Sequence, residues 1–78
     1  MSVAKTQYLK GLGNRIRVAR KRKGWTQSRL ATELGLQPSG LAKIERGQVN
    51  PNIIQLRIIK SALDMEWEEV FSRLVMVY

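Results

Sequence analysis

The sequence predicts an all-α fold of five helices in which the second and third form a helix-turn-helix, and three observations predict it. Apolar residues return at helical spacing, not in strand-like alternation, along most of the chain. The helical stretches are punctuated, with Gly24, Gly35 and Gly47 as stops and Thr26, Pro38 and Asn52 as starts. Between Gln27 and Arg46, Leu30, Ala31 and Leu34 precede Gly35, and Leu36, Leu41 and Ile44 follow it. A glycine there ends one helix in the left-handed conformation and lets the chain turn sharply. Ala31 is small where the two helices would cross. A plain helical hairpin would use Gly35 only as a stop, but small residue, glycine and apolar positions all fall at helix-turn-helix offsets.

Taken in order, residues 1–11 form an N-terminal extension whose helix start is left open. Val3, Ala4, Tyr8, Leu9 and Leu12 can share a face, but Gly11 and Gly13 weaken a continuous run. From about Asn14 to Lys23 a helix places Leu12, Ile16 and Ala19 inward and a dense basic surface outward. Trp25 is expected as a core anchor in the following turn. Thr26 suits the N-cap of helix two. Arg29 opposes the helix dipole there, so either a phosphate sits nearby or the side chain points to solvent.

Gln37 precedes Pro38, which fits the first position of helix three. Leu41 and Ile44 face inward; Ser39, Gly40, Lys43 and Arg46 face outward. Gly40 costs roughly 1 kcal/mol relative to Ala, which is either tolerated weakness at an exposed site or room for close approach to a base or sugar. Asn52 caps helix four, with Ile53, Leu56, Ile59 and Leu63 as its core stripe. Ile54 and Ile58 make a second stripe too apolar for water. In helix five, within residues 66–78, Trp67, Val70 and Phe71 are expected in the core. Leu74, Val75, Met76, Val77 and Tyr78 look surplus, and exposed apolar surface of that kind marks a partner interface.

Composition narrows the function. Seventy-eight residues without cysteine or histidine offer no disulfide, no thiolate metal site and none of the commonest catalytic base. The acids from Asp64 to Glu69 are explained by the dipole of helix five, so an enzyme is not expected, nor any cofactor or metal. No apolar run suits a signal peptide or a membrane span, which points to the cytoplasm. Net charge is +8. Eight basic residues precede Gly24 with no acid among them, while the remaining six are matched by six acids. A basic helix beside a helix-turn-helix is either a solvated face or a means of neutralising DNA phosphates.

The run IRVARKRKGWTQSRLATELGLQPSGLAKIERGQVNP resembles the phage repressor and Cro type of helix-turn-helix regulator. That family's pattern is I-R-x-x-R-x-x-K-G-x-S/T-Q-x-x-L-A-x-x-L-G, then I-x-x-I/L-E-x-G and N-P. The likeness spans about Leu12 to Phe71 and implies a lambda-repressor-like fold with its third helix in the major groove of double-stranded DNA. By resemblance, Gln37, Pro38, Ser39, Gly40 and Lys43 fall where bases are read. Thr26, Gln27, Arg29, Arg46, Gln48 and Asn50 fall where the backbone is met. Arg20 and Glu45 match a pair that joins the first and third helices in relatives.

The departures are Gln37 where relatives have Ser or Thr, and Pro38 and Gly40 where they have polar side chains. Two amide-type base contacts are thereby lost. Lys43 and Ser39 are left to read bases, with Gln37 reaching from the cap and DNA shape contributing the rest. The resemblance further implies a bacterial or phage-encoded homodimer on a pseudo-palindromic operator, paired through Ile54, Ile58, Leu74, Val75 and Tyr78. Seventy-eight residues leave no room for a sensing domain, so regulation would come through concentration or a second protein, RNA polymerase included. Controller proteins of restriction-modification systems, small phage repressors and some antitoxins share this size. A second reading makes the C-terminal helix an adaptor for another protein, with DNA contact secondary.

Overall fold

The computed structural model describes the backbone of residues 3–75 and the side chains as far as Phe71. Its elements are α1 (Val3–Arg22), α2 (Gln27–Leu34), α3 (Pro38–Glu45), α4 (Ile53–Ala62) and α5 (Trp67–Val75). Among the described residues there is no strand, as the helical spacing predicts. None of these helices is long and apolar enough to cross a membrane.

α1 resolves the start that the sequence leaves open, running unbroken through Gly11 and Gly13. Leu9, Leu12, Ile16 and Ala19 are buried along one stripe, so the apolar face outweighs two poor helix formers. Gly13 is there because α1 crosses the end of α3 at backbone distance. A Cβ at that position would lie 2.5 Å from the carbonyl oxygens of both Ile44 and Glu45. Gly47 repeats the device one turn along α1, where a Cβ would lie 2.7 Å from the Lys10 backbone. Two glycines thus let α1 lie against the C-terminal end of α3.

The core is contributed by all five helices: Ile16 and Ala19 from α1, Leu30 and Ala31 from α2, Leu41 and Ile44 from α3, Leu56 and Ile59 from α4, and Val70 from α5. α2 packs on both α3 and α4, while α1 packs on α3 and α5. Tyr8 and Arg15 of α1 both donate to the Val70 carbonyl, at 3.4 and 3.1 Å. Burial pushes the Tyr8 phenol above its usual range, against the opposing pull of Arg15.

Two expectations about the core need correction, those for Ile53 and for the Trp67 and Phe71 pair. Ile53 is 57% exposed, because it lies about 60–120° round α4 from the buried Leu56, Ile59 and Leu63. Trp67 and Phe71 are 39% and 42% exposed. They stack on each other, centroids 5.6 Å apart, and among the described side chains of α5 only Val70 is fully buried. Trp25 is half-buried, packed against the edge of the core. Met65 is buried in the turn before α5.

Candidate nucleic-acid interface

Helix-turn-helix geometry depends on a fixed angle between α2 and α3, and each join is tied by local bonds. Thr26 accepts from the Arg29 amide at 3.1 Å, capping α2. Gly35 at φ 69° closes it, and Leu36 donates back to the Ala31 carbonyl at 2.9 Å. Pro38 then opens α3, and the Gln37 side chain makes no capping bond, leaving its amide at the outer surface.

Behind α3, a buried ion pair sets its position. Arg20 donates to Glu45 through Nε at 2.7 Å and Nη2 at 3.1 Å, and through Nη1 to the Trp25 carbonyl at 2.8 Å. Gln27 Nε2 also donates to Glu45 Oε1 at 3.0 Å. Arg20 and Glu45 are each 6% exposed. Such a network holds geometry more than it adds stability, since desolvating two charges offsets most of their attraction. α1, α2 and α3 therefore meet at the Glu45 carboxylate, and the Arg20 guanidinium ties in the turn through the Trp25 carbonyl.

In front, α3 presents an outward strip. Ser39 and Lys43 are exposed, with Gly40 half-buried between them. A Cβ on Gly40 would meet only Leu36, at 3.7 Å, so packing does not demand glycine there. Arg46, Gln48 and Asn50 are exposed on the turn beyond α3, where Arg46 donates to Gln48 at 3.4 Å. Arg29 lies exposed with its guanidinium 4.1 Å above the Trp25 ring. Neither sequence reading included that contact, although a Trp and an Arg four residues apart across a helix start signal it. A cation–π stack of this kind is worth about 0.5–1 kcal/mol at an exposed site, enough to offset the dipole.

The remaining candidates lie elsewhere. Ile54 is 59% exposed and Ile58 is half-buried, and both line a groove of about 590 Å³ with Glu33, Arg57, Ser61 and Ala62. The side chains of Leu74 and Val75, and Tyr78 altogether, lie outside the described residues. Among the described residues no three acidic, His or Cys side chains are grouped to hold a metal ion.

A family model described as Helix-turn-helix matches residues 16–70, the span over which these bonds set α2 against α3. The chain belongs to that helix-turn-helix family. Among its curated relatives, the HTH-type transcriptional regulator SlrR of Bacillus subtilis (strain 168) is 41% identical over 68 residues, 86% of this chain and 45% of the relative. The HTH-type transcriptional regulator SinR of the same organism is 42% identical over 55 residues, 69% of this chain and 50% of the relative. The chain thus spans about half the length of these curated relatives. Among solved structures, the restriction-modification controller protein C.AhdI from Aeromonas hydrophila superposes with a TM-score of 0.72 at 38% identity. That match covers 81% of this chain and 96% of the other. The all-helical fold of this family member accordingly matches that of the controller protein over the residues covered.

Proposed function

We propose that the chain is a sequence-specific regulator of transcription that binds double-stranded DNA as a homodimer on a pseudo-palindromic operator. The observation that carries the reading is the exposed strip of α3 held from behind by the Arg20–Glu45–Gln27 network. Lys43 donates to guanine O6 and N7, Ser39 and Gln37 reach neighbouring base edges, and Pro38 and Gly40 admit the groove wall closely. Thr26, Gln27, Arg29, Arg46, Gln48 and Asn50 fix the register on phosphates. Two copies pair through Ile54 and Ile58, continued by Leu74, Val75 and Tyr78, with half-site centres about 34 Å apart. Residues 1–78 act as one unit in the cytoplasm, and the bound dimer either excludes RNA polymerase or touches it.

Selection of bound duplexes from a random pool, at two salt concentrations, tests this. An enriched inverted repeat whose affinity falls steeply with salt is the expected result. Salt-sensitive binding with no enriched sequence would overturn it.

A further inference from the structure

The strongest unassigned feature is the outer face of α1. Lys10 and Arg17 are seven residues apart, so they point within about 20° of the same direction, and Asn14 lies about 40° from Lys10. All three are exposed. Lys10 makes no ion pair among the described residues. The face they share is fixed relative to α3: the Lys10 backbone closes on Gly47, and Gly13 closes on the last carbonyls of α3. Gly47 sits between Arg46 and Gln48. The acidic start of α5 is carried to another side of α1, because Tyr8, which bonds α5, points about 200° away from Lys10. Glu45, the nearest acid on α3, is already shared by Arg20 and Gln27.

We propose that Lys10 and Arg17 form a second DNA contact outside the helix-turn-helix, gripping backbone phosphates next to those met by the turn after α3. This rests on the DNA-binding reading above. Lys10 lies before the region matched to the family model, so it adds footprint that the two-helix motif does not supply. The two residues are about 10 Å apart along the helix, too far to share one phosphate. Each contact therefore counts separately in the release of counterions. Phosphate contacts carry no base information, so the strip raises affinity without altering sequence preference.

The test measures affinity of the full chain for its selected duplex between about 50 and 200 mM salt, with Lys10→Ala, Arg17→Ala and, as a charge-matched control about 120° round the helix from Lys10, Arg22→Ala. Lys10→Ala and Arg17→Ala each remove two phosphate contacts per bound dimer and flatten the slope of log affinity against log salt by about 1.8. Across that range the wild type then loses about 12-fold more affinity than either variant. Arg22→Ala leaves the slope unchanged, and all three keep the wild-type base preference. Equal flattening by all three variants would reduce the effect to net charge and overturn the proposal, as would unchanged slopes for Lys10→Ala and Arg17→Ala. Should no duplex be enriched, the operator reading fails, while the same slopes on an arbitrary duplex still decide the α1 contact.

Discussion

Gly13 and Gly40 lie in neighbouring parts of the molecule and respond in opposite ways to an added methyl. At Gly13 the new Cβ would press on two backbone carbonyls at 2.5 Å, which cannot move without shifting α3. Gly13→Ala is expected to lose about 1–3 kcal/mol despite its better helix propensity, read as a lower urea midpoint. At Gly40 the methyl finds ordinary contact, so Gly40→Ala should gain up to about 1 kcal/mol. If glycine serves close approach to DNA, the same variant binds its operator more weakly. Higher stability with unchanged affinity would leave Gly40 as tolerated weakness. Lys43→Ala separates base reading from shape: it relaxes preference at one base position by about 1–3 kcal/mol in a repeated selection. Glu45→Ala strands Arg20 in a site where each is 6% exposed and should cost about 3–5 kcal/mol, measured by the same urea titration.

The first four helices end alike, each with a left-handed residue followed by a bond reaching back five positions. The left-handed residues are Gly24, Gly35, Gly47 and Asp64. The bonds are Trp25 to Arg20, Leu36 to Ala31, Gln48 to Lys43 and Met65 to Lys60. This Schellman geometry turns the residue after the left-handed one back onto its helix. Trp25 and Leu36 pack on the core for that reason, and so does Met65. Three of the stops were legible because glycine announces them. The fourth was not, since Asp64 at φ 55° carries a side chain where glycine is usual, and the Met65 anchor went unread with it. The α3 strip was legible because it is local, whereas the Arg20–Glu45 pair, 25 residues apart, was legible only through the family resemblance. Gly13 and Gly47 against α1, and the outward turn of Trp67 and Phe71, depend on how distant helices cross. Asp64 is held by Lys23, whose Nζ lies 2.8 Å from Oδ2. The hydrogen bond and charge of Lys23 draw its carboxyl below the usual range. A depressed carboxylate contributes stability above its unfolded pKa and loses it as pH falls through the folded value. Carboxyl chemical shifts followed against pH should show Asp64 titrating low in the wild type and moving up in Lys23→Gln.

For the molecule entire, the basic excess and the exposed isoleucines sit on different helices, as the proposed division between DNA and a second copy requires. The basic excess sits on α1, docked at the far end of α3. The exposed isoleucines sit on α4, where Ile53 and Ile54 are both more than half exposed, beside a groove bounded by α2. A closed dimer uses one patch twice, so a single substitution is felt at two places about its axis. Each isoleucine covered on association is worth about 1.5–3 kcal/mol, and about 1.4 kcal/mol is tenfold in the dissociation constant. Ile54→Ser with Ile58→Ser should therefore weaken the dimer at least about tenfold in sedimentation equilibrium. Operator affinity should fall with it, because one half-site cannot hold the phosphate contacts of two. Weaker operator binding with an intact dimer would instead place these residues against another protein, and pairing would then rest on the C-terminal helix alone.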